Sequence, residues 1–337
     1  MLMNRSTTGQ RRRLLLIGGG QFLVDTIQLA NKYFEVSVIT NARHQATTVN
    51  LRNDTCVQRL ALADLDVAIL ETEQFAIPQV WSGSAYFDAT LSISSHWIFT
   101  EKDINAVGPN FFNLHNSDLP NFRGGGGLTW SILARAKEGG VTIHRVDLGI
   151  DTGEVVMQRR YSFPKEPDLK ELIALQRAEA NTLLSEFVSK LDLDVDFIEK
   201  QLSEADVSDV GSYWPRLSTK ENAWIDWTWP VDSILDFIRA FGPPFAGAAT
   251  HFRGEEVRFR QARLHDADSY YHPFQWGIIF GSSNGEFLVA ANGGSLSFSQ
   301  LFVEGVQLAP GGSWLGERLF TPHECLSSSY STRFRLH

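Results

Sequence analysis

Apolar residues follow two rhythms along the first half of this chain. "RLLLIGG" from Arg13 and "FEVSVI" (Phe34–Ile39) are short, nearly unbroken apolar runs, the pattern of strands buried on both faces. Between them "QFLVDTIQLANK" spaces its apolar residues as a helix does. "DVAILE" and "FDATLSIS", rich in Val, Ile and Thr, read as further strands. Thr100 to Asp103 has the form of a capping box and predicts a short helix. "NFFNLH" predicts a strand ending at His115. "LTWSILARAKEGG" predicts a helix with Leu128, Ile132, Leu133 and Ala136 on one side, stopped by Gly139–Gly140. "GVTIHRVDLGIDTGEVVMQRRYSF" reads as two strands around a turn. A long amphipathic helix follows, with Asp168 as N-cap and Glu171 three residues later. Strands alternating with helices predict an α/β fold, a mostly parallel sheet covered on both faces. In such sheets ligands sit beyond the carboxyl ends of strands, which is where Asn113–His115 falls.

The rhythm changes after the polar stretch "SEADVSDVGS", which reads as a linker. "PVDSILDFIRAF" is one helix, ended by "GPPFAG". Strand-like segments then alternate with turn signals at Arg253–Gly254, "SSNG" and "NGG". The division expected is a disordered tail over 1–12, an α/β domain over 13–210 and a small β-barrel over 211–337.

Composition narrows the function classes. The 337 residues suffice for two domains, and 43% hydrophobic residues suffice for a sizeable core. A net charge of −9 argues against a wide nucleic-acid-gripping surface. The two cysteines, Cys56 and Cys325, form no disulfide or zinc pattern, and a reducing, cytoplasmic setting is expected. In "RRRLLLIGGG" the apolar run Leu14–Ile17 is too short for a signal peptide. No stretch approaches a membrane span, so a tail over Met1–Gln10 before a first strand is the reading.

Several weak motifs carry little. "GGGQFL" lacks the third Gly of a dinucleotide fingerprint, and no acidic residue closes the second strand near Ile39–Thr40. It reads as a tight turn, with a place in a substrate pocket as the other use. "HEC" (His323–Cys325) has no partner pair at ligand spacing, so no metal is expected. Tyr213, Trp214, Trp224, Trp227 and Trp229 form an aromatic cluster suited to packing between two domains, with base stacking the alternative.

One constellation remains. "NLHNSDLPNFRGGGG" (Asn113–Gly127) and "VDLGIDTGEVV" bring an Asn, a His and an Asp to strand ends. An Asn amide can donate to a developing oxyanion, a His can accept a proton near neutral pH, and Asp151 can orient that His. No nucleophile accompanies them. The set suits direct acyl transfer between two bound molecules, unless Asn113 and His115 merely cap a turn.

These two segments together resemble the tetrahydrofolate-dependent formyltransferases. That family's pattern is Asn-x-His-x-Ser-x-Leu-Pro, Arg-Gly, a helix, Gly-Val-Thr-Ile, and Asp-x-Gly-x-Asp-Thr-Gly. It is matched at Asn113, His115, Ser117, Leu119, Pro120, Arg123, Gly124, Gly140 to Ile143, Asp147, Gly149 and Asp151 to Gly153. "YWPRLSTKENAWIDWTWPVDSILDFIRAFGPPFAGAATHFRGEEVRF" resembles the start of the C-terminal domain that accompanies it, so the likeness runs from about Arg13 to Gly305. The resemblance implies a Rossmann-like catalytic domain and an OB-like barrel. It implies Asn113, His115 and Asp151 as catalytic residues and N10-formyltetrahydrofolate as co-substrate, with no metal. Trp97, Ile98 and Phe99, Ser117 to Pro120 (Asp118 and Leu119 included), and Leu148 and Gly149 would border that co-substrate. Whether His115 or Asp151 is the base stays open.

Two departures from the pattern stand out: Asp118 replaces a common Leu, and "RGGGG" lacks the usual Pro. The four glycines could approach a ligand's phosphates or let the loop move. The acceptor expected is a nucleotide-linked amino sugar, as used in O-antigen biosynthesis, rather than methionyl-tRNA. Thr40–Thr55 is only mildly basic where a tRNA-entering loop would lie, and Asp192–Asp209 is acidic. A homodimer is allowed and no membrane partner is expected.

Overall fold

The computed structural model describes residues 11–81, 86–193, 211–308 and 312–331. The tail expected over Met1–Gln10 and most of the linker expected around 203–212 lie outside them. The first part runs β1 (Arg13–Gly18), α1 (Gly20–Ala30), β2 (Glu35–Thr40), β3 (Thr48–Leu51), β4 (Asp54–Val57), α2 (Gln58–Ala63), β5 (Ala68–Glu71) and β6 (Ala89–Ile93). It continues with α3 (Glu101–Val107), β7 (Phe111–His115), β8 (Arg123–Gly124), α4 (Gly127–Leu133), β9 (Glu138–Arg145), β10 (Val155–Ser162) and α5 (Leu169–Leu193).

Seven strands form the main sheet in the order β10-β9-β7-β6-β1-β2-β5. The five from β7 to β5 are parallel, and β9 and β10 extend them antiparallel. The alternation within β1 explains why both faces are covered. Leu14 and Leu16 enter one core with α1 and α5, while Leu15 and Ile17 enter a second with Phe87 and Phe111. Phe112 points the other way from Phe111 and meets Phe187 of α5 edge-on, at 5.5 Å between centroids. Each such side chain contributes about 1.5–3 kcal/mol by leaving water.

The local signals mostly act as read. Thr100 and Asp103 close a capping box on α3, and Asp168 accepts from the N–H groups of Lys170 and Glu171 at the start of α5. One reading is corrected. The helix expected through "ARAKEGG" ends at Leu133, because the chain turns at Arg135 (φ 51°) and enters β9 by Glu138. Gly139 and Gly140 are strand residues, not a helix stop. A Cβ on Gly139 would lie 2.5 Å from the Phe163 ring, and one on Gly140 2.8 Å from Asp118 Cα. Their smallness serves close packing, a need that helix periodicity does not reveal.

The second part holds β11 (Tyr213–Trp214), α6 (Thr219–Asn222), α7 (Val231–Ala240), β12 (Ala248–Phe252), β13 (Glu255–Phe259), β14 (Arg263–Asp266) and β15 (Ile279–Ser283). Then come β16 (Glu286–Ala291), β17 (Gly294–Phe298), β18 (Phe302–Val303), β19 (Val306–Gln307), β20 (Leu319–Phe320) and α8 (His323–Ser331). Its strands make a five-stranded sheet, β19-β18-β13-β12-β20, and a four-stranded sheet, β14-β17-β16-β15. Arg253–Gly254 and Asn284–Gly285 each take two successive positive φ angles, as a two-residue hairpin turn requires. Phe259, Phe298 and Trp314 lie in one core that also takes in Ile132, Leu169 and Leu172 of the first part. β8 and β11 pair in parallel across the same junction.

Candidate active site

The order of the parallel strands reverses between β1 and β6, and a cleft of about 530 Å³ opens beyond their carboxyl ends. Its walls include Ser92 of β6 and Ser94 to Phe99 after it, Asn113 to Ser117 from β7, the glycines 124–127, and Asp147 with Gly149 to Asp151. The turn after β1 is closed off by side chains of the protein itself. A Cβ on Gly19 would lie 2.3 Å from the His44 ring, which fills that space and stacks on His96 at 4.9 Å. The Gly20 N–H donates to Gln58 Oε1 at 2.6 Å.

Asn113, His115 and Asp151 meet in this cleft. His115 Nδ1 is 3.5 Å from Asp151 Oδ2, and its Nε2 is 2.7 Å from the Phe122 carbonyl oxygen. A carbonyl only accepts, so Nε2 carries the proton and Nδ1 of the neutral ring presents its lone pair beside the carboxylate. Burial holds the His115 pKa below the ordinary imidazole value, with the Asp151 charge and the Phe122 carbonyl opposing and His144 adding to the depression. Burial pushes the Asp151 carboxyl up, but His144, His115 and the Gly124 N–H outweigh it, leaving it below the usual carboxylate range. At neutral pH the free site therefore holds a carboxylate and a neutral imidazole.

The Asp-x-Gly-x-Asp-Thr-Gly pattern builds the turn that presents Asp151. Asp147 Oδ1 accepts from the Gly149 N–H at 3.1 Å and the Thr152 hydroxyl at 2.7 Å. A Cβ on Gly149 would strike Thr152 Oγ1, and one on Gly153 the Arg145 carbonyl. Asp151 itself sits at φ 53°, a left-handed conformation that Asp tolerates better than bulkier residues. Its Oδ2 accepts from the Gly124 N–H at 2.9 Å.

That bond gives the glycine run its meaning. Gly124 (φ 90°) lies against β11, where a Cβ would come 2.4 Å from the Trp214 carbonyl oxygen; one on Gly125 would come 2.7 Å from Arg216 Cβ, and one on Gly127 1.9 Å from Ser117 Oγ. Close packing accounts for three of the four, two of them (Gly124 and Gly125) against the second part of the chain, while all four line the cleft. Gly124→Ala is expected to destabilise the protein by about 2–4 kcal/mol, from a strained φ together with a backbone clash. Urea unfolding checks this, and a loss below about 0.5 kcal/mol would contradict it.

His144 was not singled out from the sequence. It is 3% exposed and stands opposite Asn113 across β7 and β9. Its Nε2 lies 3.1 Å from Asn113 Nδ2 and 3.4 Å from Asp151 Oδ1, and its Nδ1 2.8 Å from the Arg145 carbonyl oxygen. One imidazole thus touches two of the three expected residues. A polar His closing the apolar run "VTIH" is the signal that could have found it.

Of the residues expected to border a folate, Trp97, Ile98, Phe99, Ser117 and Gly149 line the cleft. Asp118, Leu119, Pro120 and Leu148 are not among its lining residues. Asp118 receives Arg160 Nε at 2.8 Å, and Leu119 is buried with its carbonyl accepting from Gln158. Leu148 is 68% exposed. Two buried oxygens of the cleft, Ser92 Oγ and Asn116 Oδ1, have no hydrogen-bond partner, so a ligand rich in amide and amine groups fits the walls. Among the described residues no cluster of His, Cys, Asp and Glu could hold a metal ion.

Comparison with known proteins agrees with this geometry. The family model for formyl transferase matches residues 15–188, and that for the formyl transferase C-terminal domain matches 217–318. The methionyl-tRNA formyltransferase of Solibacter usitatus is 28% identical over 233 residues, covering 69% of this chain and 71% of that protein. That of a Bradyrhizobium species is 26% identical over 322 residues, covering 89% and 98%. Among solved structures, WlaRD, a sugar 3N-formyl transferase with dTDP and 5-N-formyl-THF, shares the fold at a TM-score of 0.64 and 17% identity, over 86% of this chain and 97% of that one. An N-formyltransferase from Helicobacter canadensis, in complex with folinic acid and dTDP-3-aminofucose, gives 0.62 and 15%, over 85% and 98%. This chain belongs to the formyl transferase family and is a folate-dependent formyltransferase.

Proposed function

We propose that the enzyme moves the formyl group of N10-formyltetrahydrofolate to the amine of a nucleotide-linked amino sugar. The observation that carries the choice of acceptor is how the basic side chains are disposed. In the second part, Arg253 pairs with Glu317 at 3.0 Å, Arg258 with Glu256 at 2.6 Å and Arg263 with Glu286 at 2.5 Å. In the loop where tRNA would enter, Arg52 pairs with Asp64 at 3.0 Å. Guanidiniums neutralised within the protein give phosphates little to displace counterions for, and the chain as a whole carries −9. The identity with methionyl-tRNA formyltransferases favours the second reading, in which the acceptor is charged initiator tRNA.

The donor supplies an activated formyl carbon. Trp97, Ile98, Phe99, Ser117 and Gly149 would hold it, their loops forming one wall of the cleft. Asn113 turns one amide N–H to His144 and has a second for the oxygen that gains charge as the acceptor amine attacks. Neutral His115 takes the proton released from the attacking amine at Nδ1, and the ionised Asp151 beside it stabilises the imidazolium formed. That proton passes to N10 as the bond from the formyl carbon to N10 breaks and tetrahydrofolate leaves. The base is therefore His115, with Asp151 as its counter-charge.

The acceptor is tested by assaying formyl transfer to charged initiator tRNA and to dTDP-, UDP- and GDP-linked amino sugars across a salt series. Turnover of a nucleotide sugar, with little change in KM between about 50 and 200 mM salt, is expected, because a diphosphate makes few phosphate contacts. Efficient, strongly salt-sensitive turnover of the tRNA with none of any sugar would replace this reading by the second.

A further inference from the structure

Packing between the two parts of the chain does not consume the Trp-rich segment. Trp227 belongs to the core of the second part: its ring is buried, and its indole N–H donates to Thr250 at 3.0 Å. Trp214, Trp224 and Trp229 instead line a chamber of about 1160 Å³, with Trp130 and Tyr213 beside them. The chamber shares Ile98, Ile150, Leu217 and Phe241 with the catalytic cleft, so the two spaces are neighbours. It has about twice the cleft's volume and borders the glycine loop, where a Cβ on Gly126 would lie 3.5 Å from the Trp130 ring.

The chemistry of its walls is specific. The Trp130 and Trp214 rings lie 4.9 Å apart, with their indole N–H groups held by the Pro215 carbonyl at 2.8 Å and by Ser212 Oγ at 2.9 Å. Trp224 is braced edge-on by His251 at 5.6 Å and Trp229 by Phe237 at 5.0 Å. The rings are fixed in place, so a ligand stacking on them would lose little to their ordering. The charges within, Arg135 and Asp236, close on each other at 2.6 Å. A chamber of held aromatic faces and neutralised charge suits a flat, uncharged heterocycle.

A free cation stands between chamber and cleft. Arg216 follows Pro215 of the chamber wall, lines the cleft, and makes no hydrogen bond or ion pair among the described residues. Arg43 approaches it. Its guanidinium pKa is lowered by burial and then by the Arg216 charge, with Glu73 opposing. From the reacting amine outward, the path thus offers the catalytic residues, an unpaired guanidinium and an aromatic chamber. A nucleotide-linked amino sugar presents its groups in the same sequence: amine-bearing sugar, diphosphate, base.

We infer that the aromatic chamber receives the nucleobase of the acceptor, stacked against its tryptophan rings, with Arg216 meeting the diphosphate at the passage to the cleft. This rests on the sugar-nucleotide reading of the function. It explains why the chamber carries no free charge and why the unpaired arginine sits at its mouth.

The test uses the full chain and two variants. Trp224→Leu removes one stacking face, and Ser233→Phe projects a ring from α7 into the chamber. Binding of dTDP, UDP and GDP is followed by tryptophan fluorescence, acceptor kinetics by formyl transfer, and donor binding by the rise in Tm with 5-formyltetrahydrofolate. At least one nucleoside diphosphate is expected to quench the wild type and to compete with the sugar nucleotide but not with the donor. Each variant is expected to raise its Kd and the acceptor KM by about tenfold or more, within the range for loss of one base–aromatic stack, while the donor still raises Tm. Unchanged KM in variants that still bind donor would overturn the chamber assignment alone. So would a wild type blind to every nucleotide while it formylates a nucleotide sugar. Turnover of tRNA with none of any sugar would overturn the acceptor reading itself, and the base site with it.

Discussion

His115→Ala should fold, bind donor and lose formyl transfer by about 10²–10⁴, the usual worth of a positioned acid or base. Folding survives because the ring lines an open cleft, where water can serve the Phe122 carbonyl it leaves. Chemistry does not survive, because the other imidazole beside Asp151 among the described residues, His144, has both ring nitrogens engaged, by Asn113 and by the Arg145 carbonyl. The pH dependence has a definite sign. The working form of His115 is neutral, so the rate falls as pH drops through its folded pKa. Burial lowers that pKa, which places the acidic limb of kcat/KM below the ordinary imidazole value of about 6.5. Asp151 opposes the depression, so Asp151→Asn should move the limb lower still while reducing the rate. Profiles of kcat/KM against pH for the wild type and both variants check this. Near-wild-type turnover by His115→Ala at saturating substrate would remove His115 from the mechanism.

Asn113→Ala should lower kcat by about 10²–10³, the cost of one lost oxyanion donor, with a smaller change in the acceptor KM. The effect belongs to kcat because the amide meets full charge only as the tetrahedral centre forms. A rise in KM alone would show that Asn113 positions the ground state instead. His144 bears on the same number. Its Nδ1 lies 2.8 Å from the Arg145 carbonyl oxygen and its Nε2 3.1 Å from Asn113 Nδ2, so the ring helps fix which end of the amide faces the cleft. Removing both side chains should therefore cost little more than removing Asn113, since residues that act as a unit are not additive.

Much of this was legible in the sequence because the information is local. Runs such as "RLLLIGG" and "FEVSVI" are buried strands, and the boxes at Thr100–Asp103 and Asp168–Glu171 cap the helices they were read to cap. Asn113, His115 and Asp151 could be named because their two segments resemble a family pattern, and the turn that presents Asp151 has its own grammar of Gly, Asp and Thr. What escaped depends on contacts between distant segments. His144 matters only through the β7–β9 register that sets it opposite Asn113. Gly139 and Gly140 look like a helix stop until Phe163 and Asp118 are seen against them. The glycine run looks like a ligand loop until β11 is seen behind it, ninety residues further along the chain. The aromatic cluster divides into a core ring, Trp227, and chamber rings in a way spacing does not encode.

The short pairing of β8 with β11 has a consequence for inheritance. The N–H that holds the Asp151 carboxylate belongs to Gly124, and the neighbouring Gly125 N–H donates to the Trp214 carbonyl at 3.0 Å. The scaffold of the reactive carboxylate is thus stitched to a strand from the other half of the molecule. The two halves form one cooperative unit where it matters most, so any opening of the second half slackens the first at its reaction centre. A lineage that exchanged the second half for another, to meet a new acceptor, would have to bring a matching strand with it. Recombination at this boundary is therefore constrained by hydrogen bonding to the glycine loop, and acceptor range should drift by substitution within the existing second half more readily than by replacement of it.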